Sequence, residues 1–402
     1  MKFANGKLFL TTVLLSAFLY SCKTTSSLES AEKKEKPSKS KDSEIELLFA
    51  GDVMAHNVNY RMKDYEIIWD GVRDEISAAD LAFANIEAPI DTTKDPSNYP
   101  YFNMPESYVQ AVINAGFDVF SLSNNHTNDQ ELSGIKQTII TTKKLQAEAL
   151  ENGANLYFSG VKESSKDPYS YCVIEKGEWK ILFLAMTEVL NRPLANSYIN
   201  YTGSKEKERE GFIEYIKKLR EENPCDIFIL SWHANEPEYI RTVKDSQEKF
   251  YQSLLEAGVD IIWANHAHII KDRKIITNEE TKQTKIIMYA NGNTISGQRT
   301  KPKLKEKNPI EERDNTGDGL MYKVILKKTK PKDETTSAVQ LVKTEPIFIT
   351  TYITPERNFL VKKLDEEFFN YLAENEKTDW EKYLRKRLEI NETYTKDIIE
   401  CQ

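Results

Sequence analysis

The five histidines of this chain follow four short apolar runs, and each run ends in polar residues. The segments are LLFAGD before His56, DVFSLSNN before His126, IFILSW before His233, and VDIIWAN before His266 and His268. Apolar runs bounded by polar turn residues are typical of buried strands in a layered α/β domain, and such domains bind ligands at the carboxyl ends of their strands. Imidazole and carboxylate groups at converging strand ends form metal sites. The pattern therefore predicts an α/β domain organised around a metal centre.

Two carboxylates also stand at predicted strand ends. Asp52 follows the run IELLF by three residues, and Glu87 follows the predicted strand ADLAFANI at 79–86. Taken alone, Asp52 fits a helix N-cap as well as a metal ligand, and Glu87 fits a solvated turn residue as well as a carboxylate that bridges two cations. His56, four residues after Asp52, fits either a second ligand or a surface polar residue. The later histidines favour the metal-ligand interpretation of Asp52.

The segment Asn265-His266-Ala267-His268 is the sharpest single signal for a metal. Alternate side chains of an extended or turning segment face the same way, so both imidazoles can reach one cation or two adjacent ones. The segment SNNHTND at 123–129 ends in an aspartate, Asp129, which we interpret as the cap of the helix that follows.

A basic segment follows the strand predicted at 285–290 and the turn Asn291-Gly292-Asn293. It contains Arg299, Lys301, Lys303, Lys305 and Lys307. Charge runs usually belong to solvated loops, and the alternative for one that follows a site strand is contact with an anionic substrate. The net charge of −8 and the isoelectric point near 5.5 show no overall excess of positive charge, which argues against nucleic acid as a partner.

The N-terminal residues predict export and a lipid anchor. Lysines precede an apolar run at 8–20 that is too short to span a bilayer comfortably and is typical of a signal peptide. The run closes on Leu-Tyr-Ser-Cys, which resembles a bacterial lipobox with Cys22 as the lipidated residue; an ordinary cleaved signal peptide is the alternative. Residues 23–43, rich in Lys, Ser and Glu, indicate a flexible linker. We expect a membrane-anchored lipoprotein of the cell envelope, exported across the inner membrane.

The order of these motifs resembles the CapA family, which is linked to capsule and poly-γ-glutamate synthesis and looks like a branch of the calcineurin-like metallophosphoesterases. The resemblance covers residues 45–327. It implies a four-layer α/β/β/α sandwich of the metallophosphoesterase type in a domain at 44–330, with a C-terminal extension of strands and helices at 331–402. The matching pieces, in chain order, are GDVM at 51–54, NIE at 85–87, AGFDVFSLSNNHTND at 115–129, WHANE at 232–236, NHAH at 265–268 and YANGN at 289–293.

The resemblance also implies two divalent ions, of Mn, Fe, Zn or Mg. It suggests Asp52 and His268 on one ion, and Asn125, His233 and His266 on the other, with Glu87 near or between them. His126 would face the substrate as a general acid, next to the metal-bound Asn125, and these two residues form the predicted catalytic pair. We further predict that the substrate is contacted by Asn85, Asn124, Glu236, Asn293 and Arg299.

Two departures from the family pattern affect these assignments. The usual Asp-x-His start reads Asp-x-Met, so Met54 supplies no nitrogen ligand and the replacement of that ligand by His56 is left open. The usual His-Trp-Gly-x-Glu reads Trp-His-Ala-Asn-Glu, which shifts His233 by one residue relative to Glu236.

The predicted function is metal-dependent hydrolysis of an ester, in first place a phosphoester, at the cell envelope. One alternative is a non-catalytic, lipid-anchored subunit that binds an anionic polymer or a polymer synthase complex, with the basic segment 299–307 as its surface. A further alternative is an amide or ester hydrolase that acts on polymer or wall peptide with the same metals. Metal content separates the non-catalytic alternative from the two enzymatic ones.

Overall fold

Two β-sheets packed face to face form the centre of the protein. They are seen in a computed structural model, which describes residues 44–329 and 337–402. The predicted signal peptide, the lipidation site Cys22 and the linker lie outside the described residues. Within those ranges the strands are β1 Glu44–Val53, β2 Leu81–Ile86, β3 Val119–Ser121, β4 Tyr157–Ser159, β5 Tyr171–Lys176, β6 Trp179–Thr187, β7 Ile227–His233, β8 Ile261–Asn265, β9 Arg273–Thr277, β10 Thr284–Met288, β11 Asn293–Ile295, β12 Asp318–Lys328, β13 Val339–Ile353, β14 Phe359–Lys363 and β15 Asp397–Cys401.

Helices connect many of these strands. Among the described residues the α-helices are α1 Arg73–Ala78, α2 Glu106–Asn114, α3 Glu131–Glu151, α4 Glu206–Glu222, α5 Asp245–Glu256, α6 Glu312–Asn315, α7 Glu366–Glu374 and α8 Thr378–Tyr394, with short 3₁₀ helices at Glu66–Trp69 and Asn196–Tyr198. In the part of the chain that the structure describes, none of the helices combines the length and apolar character needed to cross a bilayer.

Each sheet combines parallel and antiparallel strand pairs. The first sheet has the order β14-β13-β12-β1-β2-β3-β4, with β11 paired to β1, and its strands β1 to β4 run parallel. The second has the order β15-β9-β10-β8-β7-β6-β5, and β6, β7, β8 and β10 run parallel. Because the carboxyl ends of parallel strands meet at one edge of a sheet, residues that follow β1, β2, β7 and β8 are gathered at such edges.

The side chains of β1 explain the layering. Successive residues of a strand face opposite sides, and here both sides are buried, which accounts for the continuous apolar run. Leu47 and Phe49 pack in the core between the two sheets, where Phe49 stacks on Phe83 with ring centroids 4.6 Å apart. Leu48 and Ala50 face the other way, into a core shared with α1, α2 and α3.

The outer face of the second sheet is covered in the same way. Leu182 and Phe228 share a third core with residues of α4 and α5, including Phe212 and Phe250. Two sheets with helices on both outer faces form a four-layer α/β/β/α arrangement, so the predicted fold class is confirmed.

The C-terminal residues complete both sheets. Strands β13 and β14 extend the first sheet, and β15 lies parallel to β9 at the edge of the second. Helices α7 and α8 pack on Tyr352 and Leu364 through Phe369 and Leu384. Strands β13, β14 and β15 are therefore part of the same two sheets, and α8 reaches back to the strand that begins at Asp318.

Candidate metal centre

Strand ends from both sheets meet at the candidate site. Asp52 is the next-to-last residue of β1, and Glu87 directly follows β2. His233 is the last residue of β7, and His266 directly follows β8. All four side chains are buried, with at most 6% of their surface exposed.

One group of potential ligands consists of Asp52, Glu87 and His268, which offer ligand atoms within 4.8 Å of one another. Nδ1 of His268 lies 3.0 Å from Oδ2 of Asp52, and Nε2 of His268 lies 3.7 Å from Oε1 of Glu87. Two carboxylates and one imidazole are a suitable donor set for a divalent ion. We call these residues the first triad.

A second group of potential ligands consists of Glu87, His233 and His266, again within 4.8 Å of one another. Nδ1 of His266 lies 3.1 Å from Nε2 of His233, which in turn lies 3.7 Å from Oε1 of Glu87. The side-chain oxygen of Asn125 lies 3.0 Å from the same Nε2 atom. We call Glu87, His233 and His266 the second triad; the two triads share Glu87.

The Oε1 atom of Glu87 shows that a cation suits this arrangement. Glu87 is fully buried, and Oε1 has no hydrogen-bond partner among the described residues. A buried carboxylate oxygen without a partner is costly unless it is paired or coordinates a metal. The same oxygen faces imidazole nitrogens of both triads, so both triads have the geometry and chemistry to hold a metal ion.

The pKa values of these groups reflect their burial. Burial, and next the nearby charge of Asp52, raises the pKa of Glu87 well above its ordinary value. Burial also lowers the pKa of His266 to about 4 and that of His233 well below 6.5. Burial opposes the charge of His268 as well, but the hydrogen bond to Asp52 raises its pKa. The second-triad imidazoles are therefore neutral at pH 7, which is the form that binds metals.

The backbone of the His-x-His segment separates its two rings. His266 and His268 have φ values of 105° and 55°, a region that residues other than glycine seldom adopt. Their ring centroids are 6.1 Å apart, and each ring belongs to a different triad. Of the two possibilities in the sequence, one cation or two adjacent ones, the geometry corresponds to two adjacent positions. Strained backbone of this kind is retained mainly at functional sites.

Three buried asparagines hold these groups in place. Asn85 donates to Oδ1 of Asp52 at 2.8 Å, and Oδ1 of Asn293 lies 3.1 Å from Nδ1 of His268. Asn124 donates to the carbonyl oxygen of Ile86 at 2.8 Å, just before Glu87. The structure thus places all three beside the ligand residues; their predicted contact with a substrate stays a prediction.

His126 lies beside the triads and belongs to neither of them. Its Nδ1 atom is 2.6 Å from Oδ2 of Asp129, and the side-chain nitrogen of Asn191 lies 3.2 Å from Nδ1 and 3.4 Å from Nε2. Asp129 also accepts the backbone N–H of Phe102 at 2.8 Å. Helix α3 begins at Glu131 without a side-chain cap, so Asp129 orients His126 and is not the helix cap that we expected.

The sequence did not predict Asp129 and Asn191 as site residues. Asp129 had a detectable signal, since it stands three residues after His126, but its local pattern equally predicts a helix cap. Asn191 lies more than 60 residues away along the chain, and no local pattern marks it.

Other predicted site residues belong to neither triad. His56 accepts the backbone N–H of Gly297 at Nδ1, over 3.1 Å, and its ring meets the ring of Phe102 with centroids 5.0 Å apart. His56 belongs to neither triad, so this geometry gives no support to its replacing the ligand that is missing at Met54, and that role stays a prediction.

Glu236 and Arg299 are each held in a buried ion pair. Glu236 accepts from Nζ of Lys271 at 2.6 Å. Arg299, expected at the substrate, is 1% exposed and pairs with Asp318 at 3.0 Å. A guanidinium that is buried and already paired is not presented to a ligand, so Arg299 is removed from the substrate-binding set.

The sequence from β1 to β11 matches a known family. Residues 46–298 match the family described as bacterial capsule synthesis protein PGA_cap. The chain belongs to this family. The match includes both triads, His126 and Asn293, and it confirms the resemblance seen in the motifs.

Two relatives of the PGA_cap chain have curated names. It is 26% identical over 276 residues to the capsule biosynthesis protein CapA of Bacillus anthracis. The aligned region covers 65% of this chain and 62% of the relative. It is 23% identical over 263 residues to the PGA biosynthesis protein CapA of Bacillus subtilis (strain 168), which covers 64% of each. The chain therefore spans less than two thirds of the length of these relatives.

Two solved structures are similar to this chain, and their sequence identity to it is lower than that of the two CapA relatives. A hypothetical protein from Thermus thermophilus has a TM-score of 0.40 at 16% identity, covering 76% of this chain and 98% of the other. The calcineurin-like phosphoesterase YfkN from Bacillus subtilis has a TM-score of 0.39 at 12% identity, covering 85% and 99%. TM-scores of this size are too low to support an argument about the fold. The four-layer arrangement follows from the sheets and helices of this chain.

Proposed function

We propose that this PGA_cap protein is a divalent-metal-dependent phosphoester hydrolase that acts in the synthesis of an anionic capsule polymer. The observation that supports this proposal most is the buried Oε1 atom of Glu87, 3.7 Å from Nε2 of both His233 and His268. Two adjacent ligand sets suit the two-metal sites of phosphatases and nucleases, where the ions flank the reacting phosphate.

Each triad would hold one ion. Asp52 and His268 would bind the first ion, His233 and His266 the second, and Glu87 would contact both. When bound, such ions lower the pKa of a water molecule and balance the negative charge that develops on a phosphate. Because these ligands are almost fully buried, the protein keeps bulk water away from their charges.

His126 is the residue that we assign to proton transfer toward the leaving group. Asp129, 2.6 Å from Nδ1, fixes the orientation of the ring, and Nε2, which has the side-chain nitrogen of Asn191 at 3.4 Å, is the ring atom that would meet a substrate. An imidazole oriented by a carboxylate can protonate a leaving oxygen. Asp129 and Asn191 are positioning residues in this scheme.

The proposed biological setting follows from the relatives' names. Both are described by the biosynthesis of a capsule or of PGA. We extend this setting to the present chain, with an anionic polymer or a phosphoester precursor as substrate and a polymer synthase complex as partner. The proposed location is the cell envelope, through a lipid on Cys22.

A second candidate function is binding of the polymer without catalysis. It is favoured by the basic segment, in which Lys301, Lys303, Lys305 and Lys307 are all exposed. Replacing the four lysines by alanine would abolish polymer binding under this candidate. Under the hydrolase proposal, it leaves turnover of a small phosphodiester unchanged.

The hydrolase proposal is tested with chromogenic esters. The full chain, loaded with Mn²⁺, is assayed on bis(p-nitrophenyl) phosphate and on p-nitrophenyl acetate, before and after treatment with a chelator. We expect metal-dependent hydrolysis of the phosphodiester. Turnover of the acetate alone would indicate carbon chemistry, and no turnover of either ester by the folded, loaded chain would favour the binding function.

A further inference from the structure

Tyr239 and Arg313 lie at the edge of the candidate metal centre. The ring centroids of Tyr239 and His268 are 6.1 Å apart. The guanidinium carbon of Arg313 lies 5.3 Å from the centroid of the Tyr239 ring, and the Arg313 side chain is exposed. A positive charge therefore stands one aromatic ring away from the first triad.

The guanidinium of Arg313 forms a hydrogen bond with the hydroxyl of Tyr239, and the side chain is otherwise exposed. Across residues 44–329 and 337–402, Arg313 makes no ion pair, whereas the buried Arg299 and Arg387 both pair with Asp318. Guanidinium presents several N–H donors in a planar fork that matches carboxylate and phosphate groups.

The carboxylate of Glu238 meets the same Tyr239 hydroxyl as Arg313 does. The same carboxylate interacts with the charges of His268 and His266. An anion would be repelled from Glu238 and attracted to Arg313. Because both residues meet one hydroxyl, a negatively charged part of a substrate would approach Arg313 from the side away from Glu238.

The Tyr239 side chain is held firmly. Its backbone has a φ of 65°, and its N–H donates to the carbonyl oxygen of Ala267 at 2.9 Å, between the two site histidines. Its hydroxyl accepts from Gln298 at 3.4 Å, and Gln298 accepts from Asn293 at 2.9 Å. A left-handed conformation at a bulky residue persists only where its surroundings enforce it. Tyr239 is thereby connected to the first triad on two sides.

Helix α8 positions the segment that carries Arg313. The hydroxyl of Tyr383 donates to Asp314 at 2.5 Å, and Arg387 donates to the side-chain oxygen of Asn315 at 2.8 Å. Both donors lie on α8, and both acceptors directly follow Arg313. These residues come after position 298, where the family match ends. The C-terminal helix thus holds the segment that places Arg313 at the edge of the site, which the motifs do not reveal.

We infer that Arg313 binds a second anionic group of the substrate, a carboxylate or a phosphate, beside the ester held at the metal centre. The inference rests on the proposed function, because it assumes that the ester lies at the triads. It defines the substrate class as phosphoesters that carry a further negative charge near the reacting group. It also assigns to Arg313 the contact that sequence analysis gave to Arg299.

The test uses binding, so that it does not depend on turnover. The full chain loaded with Mn²⁺ is titrated by calorimetry with phenylphosphonate and with its analogues that carry a para carboxylate or a para phosphonate. We expect the analogues to bind the unaltered chain about tenfold more tightly than phenylphosphonate, as a charge-assisted hydrogen bond provides. The difference between the two analogues shows which anion is preferred.

Variants of two arginines decide the outcome. Arg313→Ala should bind all three probes equally, and Arg313→Lys should keep part of the preference. Arg385→Ala is the matched control: this side chain also lies over a ring, 4.5 Å from that of Phe369, but pairs with Glu366 and Glu381. It should keep the full preference.

The possible failures are distinguishable. A preference that survives in Arg313→Ala, or no preference in the unaltered chain, would overturn this inference alone. If the loaded chain bound none of the probes, the proposed function would fail, and the inference would fail with it.

Discussion

Oε1 of Glu87 lies 3.7 Å from Nε2 of His268, and the same oxygen lies 3.7 Å from Nε2 of His233. One carboxylate therefore belongs to both candidate ligand sets, while each histidine belongs to one. This difference predicts distinct effects for variants that would otherwise look equivalent.

Replacing His266 should affect one ion only. His266→Ala removes a ligand of the second triad and leaves Asp52, Glu87 and His268 unchanged. We expect about one ion per chain where the unaltered protein holds about two, the number found in two-metal hydrolases. Elemental mass spectrometry of the folded protein measures this number. His56→Ala is the control, since His56 belongs to neither triad, and it should keep the full metal content.

Replacing His126 should separate metal binding from turnover. His126→Ala leaves both triads intact, so the metal content should not change. Turnover of bis(p-nitrophenyl) phosphate should fall by about 10²–10⁴-fold, the usual value of a general acid. Asp129→Asn should give a smaller loss of kcat, because the ring stays but its orientation weakens. Full turnover in His126→Ala would rule out the assigned role.

The buried carboxylate of Asp318 predicts a stability effect away from the site. It accepts hydrogen bonds from Arg299 at 3.0 Å, from Arg387 at 2.7 Å and from Asn391 at 2.9 Å. Burial alone would raise its pKa, but Arg387 and Arg299 lower the pKa of Asp318 below the ordinary value of 3.8. Since the pKa is lower in the folded state, this stabilisation is present above about pH 4 and is lost as the pH falls through the folded-state pKa.

Asp318→Asn would remove the ion-pair partner of two buried guanidinium groups, those of Arg299 and Arg387. We expect the free energy of unfolding at pH 7 to fall by about 3–5 kcal/mol in urea denaturation. The difference in the free energy of unfolding between the variant and the unaltered protein should become smaller as the pH is lowered. Asp74→Asn, at an exposed position, should change the free energy by less than about 0.5 kcal/mol. Equal stability of Asp318→Asn and the unaltered chain at pH 7 would contradict this explanation.

The strand ends of the site could be predicted because the relevant physics is local. The run before Asp52 and the run before His233 each indicate a buried strand, and the structure has β1 and β7 there. Parallel strands then bring such residues to a common edge without further information. The sequence left open whether Glu87 lies near the two ions or between them, because the answer depends on how the two sheets pack.

The remaining features depend on contacts between distant segments. The basic segment suggested an exposed Arg299, but its partners Asp318 and Thr351 lie 19 and 52 residues further along the chain. Arg313 had no local signal, because its place beside Tyr239 is fixed by α8. Strand β9 was not predicted either, since its position is set by pairing with β10 and β15.

The metal content of Glu87→Gln tests the central proposal most directly. Glutamine keeps the size of the side chain but removes the charge that both triads share. Elemental mass spectrometry of the full, folded chain should show about two ions in the unaltered protein and loss of both in the variant, whereas His266→Ala loses one. Unchanged metal content in Glu87→Gln, or no bound metal in the unaltered protein after reconstitution, would contradict a centre built on this carboxylate.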